Sequence, residues 1–170
     1  MNPSGSVRRL ALCGLLCASV LLSACNTTPP QPPADAQPGA FWQGRLSVRV
    51  DSEPVQSVAA GFELRGSAEA GELLLTSPLG NTLARLDWSP KQAAWHQSGQ
   101  ITYRDSVAQL SQDLLGTPLP ITALFDWLHG HPSTQAHDWQ ADLSRHAEGR
   151  ITAYRTQPPP RAELRLIFQP

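Results

Sequence analysis

Cysteine is almost missing from this chain of 170 residues: there are three, Cys13, Cys17 and Cys25. From Asn26 onward no thiol exists to form a disulfide or a thiolate metal site. Surplus charge is missing too. The formal net charge is −1, which is neither the basic footprint of a nucleic-acid binder nor an acidic tail. No apolar run reaches the ~20 residues that a membrane-spanning helix takes; the run over residues 10–22 stops short. Catalytic signatures are lacking as well. No serine sits in a G-x-S-x-G elbow, no H-E-x-x-H occurs, no glycine-rich phosphate loop is present, and the carboxylates are scattered singly. An enzyme is therefore the disfavoured class, and no cofactor is called for. No internal repeat is visible.

What is there begins at the N-terminus. Arg8 and Arg9 precede the apolar run, which is interrupted only by small residues, and Leu22-Ser23-Ala24-Cys25 closes it. A positive region, an apolar core and small residues before a cut site form the layout of a secretion signal. Leu-Ser-Ala-Cys is similar to the bacterial lipobox, and that likeness implies cleavage before Cys25 and acylation of its thiol. Cys13 and Cys17 lie inside the signal core, so a metal or redox pair is rejected. Residues 1–24 are then a lipoprotein signal peptide, and the mature chain carries a charge near −3, since Arg8 and Arg9 leave with no acid.

Residues 25–39 read as the acylated cysteine and a tether. Pro29, Pro30, Pro32, Pro33 and Pro38 alternate with small and polar residues that cannot bury a core. In polyproline form, at ~3.1 Å per residue, this stretch would reach on the order of 40 Å. A fold on such a leash works at a distance from its lipid anchor. Asn26 follows the cysteine; in many bacteria an aspartate there signals inner-membrane retention, so asparagine favours the outer membrane.

Residues 40–170 have the size of one domain. From Phe41 the period is two, with Trp42, Gly44, Leu46, Val48 and Val50 on one face and Gln43, Arg45, Ser47, Arg49 and Asp51 on the other. Val58, Ala60, Phe62 and Leu64 continue it; residues 72–76 are apolar on both faces at their centre, and the return strand puts Thr82, Ala84, Leu86 and Trp88 on one side. These patterns predict half-buried antiparallel strands, with shorter ones at 94–97 and 101–103. Between residues 76 and 82, Ser77-Pro78-Leu79-Gly80 fits a type I turn, which places the branched apolar Leu79 at a tip that ought to be polar.

The period then changes. Val107, Leu110, Ser111, Leu114 and Leu115 make one face of a helix capped by Asp105 or Ser106 and stopped by Gly116. After Pro118 and Pro120, Ile121, Leu124, Phe125 and Leu128 make a second helix, ended by Gly130 and Pro132. Strands return at 139–143 and 150–155, with Leu164, Leu166 and Phe168 alternating last. Strands, a helical insertion and strands again predict a mainly β fold, one curved sheet with helices laid over an open side. Of the five histidines, His129-Gly130-His131 could chelate a metal, but a histidine at a helix C-terminus is favoured by the dipole and reads first as a cap.

Three segments carry a resemblance. Phe41-Trp42-Gln43-Gly44-Arg45-Leu46-Ser47-Val48-Arg49 resembles the opening strand of the outer-membrane lipoprotein receptor family LolB. Glu72-Leu73-Leu74-Leu75-Thr76-Ser77-Pro78-Leu79-Gly80-Asn81-Thr82 is similar to that family's "LLLTNPLGST" segment. Leu114-Leu115-Gly116-Thr117-Pro118-Leu119-Pro120 with Phe125-Asp126-Trp127-Leu128-His129-Gly130 resembles its third motif, in the right order. Beyond Gly130 the chain departs: Ile151 stands where the family usually has tryptophan, and the last strand carries Phe168 in place of a terminal tryptophan.

The resemblance implies a half-open antiparallel β-barrel whose concave apolar face, covered by helices, holds acyl chains. It implies an outer-membrane protein on the periplasmic face that accepts acylated lipoproteins from a soluble periplasmic carrier of the LolA type and inserts them into the inner leaflet. The expected state is a lipid-anchored monomer that binds no nucleic acid; a structural docking module is the alternative class. In the family the leucine matching Leu79 serves insertion. The helix faces supply the candidate acyl-binding residues Val107, Leu110, Leu114, Ile121, Leu124, Phe125 and Leu128, with Trp127 beside them.

Overall fold

The computed structural model describes residues 40–170; Cys25, Asn26 and the tether lie outside the described residues. Six strands follow one another as hairpins: β1 (Ala40–Val50), β2 (Gln56–Gly66), β3 (Gly71–Thr76), β4 (Thr82–Ser89), β5 (Gln92–Gln97) and β6 (Gln100–Arg104). Helices α1 (Val107–Leu115) and α2 (Ile121–Leu128) come next, then β7 (Trp139–Asp142), β8 (Arg150–Arg155) and β9 (Ala162–Phe168). All nine strands join one antiparallel sheet in the order β6-β5-β4-β3-β2-β1-β9-β8-β7.

The last strand therefore does not form an edge. It returns to the first, with Gly44 opposite Phe168 and Val50 opposite Ala162. Close approach of this pair requires Gly44, where an added Cβ would stand 2.0 Å from the Ile167 carbonyl oxygen. The free edges are β6 and β7, and they do not pair with each other. The sheet is open, a half-barrel, as expected. Strands β5 and β6 start earlier than their alternation predicts, because the turns before them are tight enough to pair Ser89 with Gln92 and Gln97 with Gln100.

Alternation sorts the faces. Val48, Val50, Phe62, Leu64, Leu86, Trp88, Ile151, Leu164 and Leu166 are buried on the concave side, whereas Arg45, Arg49, Arg65 and Arg165 stand exposed on the convex one. Three of these arginines pair with an acid two residues away along the chain: Arg49 with Asp51, Arg65 with Glu63, and Arg165 with Glu163. Such exposed pairs contribute little to stability.

Both helices end where the residues dictate. Ser106 is the cap of α1, its hydroxyl accepting from Gln109 N at 3.2 Å, and Gly116 closes the helix in the left-handed region at φ 73°. Helix α2 starts at Pro120 without a side-chain cap. At its other end His129 Nδ1 donates to the Phe125 carbonyl at 2.8 Å, which is the capping geometry.

The connection between the helices is held from three directions. Ser111 Oγ accepts from Leu119 N at 2.8 Å, Trp139 Nε1 donates to the Pro118 carbonyl at 3.1 Å, and Arg155 Nη1 donates to Thr117 Oγ1 at 3.1 Å. Arg155 is buried and also reaches the Pro160 carbonyl at 3.1 Å, with Asp138 3.9 Å from its Nε. Thr117 is fully buried. Replacing Arg155 by methionine keeps the volume but strands the Thr117 hydroxyl and the Pro160 carbonyl, an expected loss of about 1–3 kcal/mol. A urea midpoint shift at unchanged slope is the measurement; an unshifted midpoint would show the arginine to be dispensable.

Candidate lipid-binding cavity

The helices cover the sheet without filling all the space above it. Between them and the concave face lies a cavity of about 540 Å³. Its floor comes from alternate residues of the central strands: Leu46 and Val48 of β1, Phe62 of β2, Leu75 of β3, Leu86 of β4 and Leu166 of β9. Its roof is Val107, Leu110 and Leu114 of α1 with Ile121, Leu124 and Leu128 of α2. The polar side chains on its wall are Gln56, Ser57, Gln97 and Ser111, and no charged side chain lines it. An uncharged hollow of this size suits an apolar chain, since a polar guest would find few partners for its hydrogen bonds.

Six of the eight helix residues expected in the lining are therefore brought together, and two are not. Phe125 turns away from the cavity and packs edge-on against Trp42 and Trp88, with ring centroids 5.5 and 6.2 Å away. Trp127 is buried to 1% exposure, also outside the lining. The reason is that α2 is wedged between two apolar layers. Its stripe at positions 121, 124 and 128 faces the hollow, and the flank holding Phe125 faces solid core.

Sequence reasoning expected the concave face to hold acyl chains but named none of its floor residues, although the same alternation that identified the strands marks them. It also overlooked Leu83. Alternation puts Leu83 on the convex side with Arg85, yet it lines the cavity, because a bulge sits there: Leu75 pairs with Ala84 and Thr76 with Thr82, leaving Leu83 as the extra residue.

The mouth is marked by lining residues that remain open to solvent, Leu83 at 42% and Leu114 at 37%. Beside it stands the turn joining β3 to β4. Gly80 N donates to the Ser77 carbonyl at 2.9 Å, and Ser77 and Asn81 close the base at 2.8 Å. Gly80 has φ 83°, conformation that favours glycine. Leu79 at the tip is 88% exposed, the most exposed large apolar side chain among the described residues.

An open antiparallel half-barrel with a helical roof over an uncharged hollow defines the class, a β protein with an apolar interior open at one side. Residues 41–158 match the family described as "Outer membrane lipoprotein LolB", and the chain belongs to that family. The Outer-membrane lipoprotein LolB of Bordetella petrii is 32% identical over 91% of this chain and 89% of the relative. That of Bordetella pertussis is 33% identical over 98% and 96%. The Shewanella baltica OS155 protein of the same name is 29% identical over 86% and 71%.

Lining and packing residues should respond differently to substitution. Phe125→Ala removes a buried ring and should destabilise the fold by about 3–5 kcal/mol. Leu124→Gln, whose side chain borders empty space, should unfold at nearly the wild-type urea concentration yet bind a fluorescent fatty acid several-fold more weakly. Equal loss of stability in the two variants would show Leu124 to be ordinary core.

Proposed function

We propose that the protein is an outer-membrane lipoprotein receptor that takes acylated lipoproteins from a soluble periplasmic carrier and passes them into the inner leaflet of the outer membrane. Family membership and the uncharged roofed cavity support this reading, and the cavity is the observation that carries it. Each buried CH₂ contributes ~0.8 kcal/mol, so an acylated client cannot cross water unsheltered. A docking module would need only an outward patch, and a hollow of about 540 Å³ inside it would serve nothing.

The work is transfer, not catalysis. No covalent bond need form or break, and the gradient runs from a protein cleft that buries an acyl chain partly to a bilayer that buries it fully. The acyl chain lies between the sheet floor and the roof residues Val107, Leu110, Leu114, Ile121, Leu124 and Leu128. Cys25 carries the protein's own lipid, and residues 26–39 let the folded domain work as a monomer away from that anchor. Among the described residues no helix is long and apolar enough to cross a membrane.

Leu79 serves insertion. Its turn is braced by its own hydrogen bonds, so the side chain can enter the acyl boundary without rearranging the sheet. Leu79→Glu removes almost no native contact and should change stability by no more than ~0.5 kcal/mol. At the membrane it places a charge where an apolar wedge belongs, which is costly even at modest depth. The variant should accept lipoprotein from the carrier and fail to deliver it to liposomes; delivery at the wild-type rate would sink the wedge. Cys25→Ala behind a cleavable signal should yield a soluble protein with an intact sheet signature by circular dichroism. Aggregation of that variant would show that the fold depends on its anchor.

A further inference from the structure

The wall of the half-barrel is split at its rim. Strands β4 and β5 pair from Ser89 and Gln92 up to Arg85 and His96, and no further. Strand β5 stops one residue further on, at Gln97, whereas β4 reaches back to Thr82, so Ala84 and Gln97 are left unpaired and Thr82 and Leu83 overhang the end of β5, leaving a gap there. On the outer side of this gap lies a groove lined by Leu74, Arg85, His96 and Ile101, four residues that stand opposite one another across β3, β4, β5 and β6. Leu83, Ala84 and Gln97 line both this outer groove and the inner cavity. At those three residues alone the two hollows share a wall.

We propose that this split is a lateral port through which an acyl chain passes between the cavity and the outside, with Leu83 as its sill. The inference rests on the acyl-binding reading above and adds the route. Two independent features point to it. The bulge places an extra residue in β4 at the gap, and that residue is a leucine, 42% exposed, where a rim facing water would carry a polar side chain. The gap also opens directly below the turn that carries Leu79. A chain leaving over Leu83 emerges beside the inserting leucine, with Leu74 and Ile101 offering apolar contact outside. It reaches the bilayer without crossing water and without displacement of the roof. The groove's Arg85 and His96 are both turned to Asp87, at 3.1 and 2.7 Å, so neither polar head is left facing the path unpartnered.

The test exploits the fact that a port is crossed in both directions. The full mature chain with Cys25→Ala is mixed in stopped flow with a dansyl-labelled long-chain fatty acid, and release is then followed into vesicles of phosphatidylethanolamine and phosphatidylglycerol. A carboxylate on the sill opposes an apolar chain passing over it, so Leu83→Asp should slow uptake and release together, each by about tenfold, with their ratio changed far less. Leu83→Ala should speed both. Ile167→Asp, a change at a similarly exposed isoleucine on the outer face of β9, should leave both rates as they are. Wild-type rates in Leu83→Asp overturn the port, and so does a faster release at unchanged uptake, which would make Leu83 a lining residue only. Equal slowing by Ile167→Asp overturns it too. Failure of the unsubstituted chain to take up the probe would instead remove the acyl-binding reading, and the port with it.

Discussion

The pairing of β9 with β1 is the constraint on which the rest depends. It places the last strand beside the first, hangs β8 and β7 on the far side of it, and leaves β6 and β7 as the two free edges. The chain that runs from β6 to β7 is the helical segment. It must cross from one edge to the other, and the side left open by a curved sheet is the concave one. The roof follows from strand order. Had β9 paired at the other end, the same helices would have had no hollow to span.

A roof that spans rather than packs needs support at a few points, and the support here is polar. Ser111, Trp139 and Arg155 grip the connection between the helices by buried hydrogen bonds. Phe125 anchors α2 edge-on between Trp42 and Trp88. These contacts lie at the end of the sheet toward β7 and β8 or in its solid core. The stretch between is left to aliphatic side chains that line the cavity. Directional bonds hold the geometry, and non-directional apolar surface is left uncovered. A completely packed interior would be more stable, since empty space forfeits dispersion contacts. On the proposed reading, that cost accompanies a surface kept for an acyl chain.

Transfer in one direction needs a site that holds its guest less well than the next station. On the proposed reading, a cavity open at Leu83 and Leu114 would shelter an acyl chain incompletely, where a bilayer shelters it fully. Affinity and direction would then be set by one quantity, the apolar area withdrawn from water at each step.

Much of this was legible from residue order. Alternation from Phe41 onward and the switch to helical spacing at Val107 determined the strands, the helices and their caps, because those depend on local backbone hydrogen bonds and on which face is apolar. The exposed leucine of the Ser77-Pro78-Leu79-Gly80 turn was likewise local, since a turn of that composition leaves its third side chain in water. What only the tertiary structure decided was nonlocal. Whether the β9 strand is an edge or a neighbour of β1 depends on pairing across more than a hundred residues, to which periodicity is blind. Phe125 and Leu124 are adjacent on one helix face, and only the packing of Trp42 and Trp88 separates core from cavity. Leu83 reads as an outward residue until the bulge opposite Leu75 and Thr76 changes its side. A hollow is a property of the space between elements, and no single element carries it in its sequence.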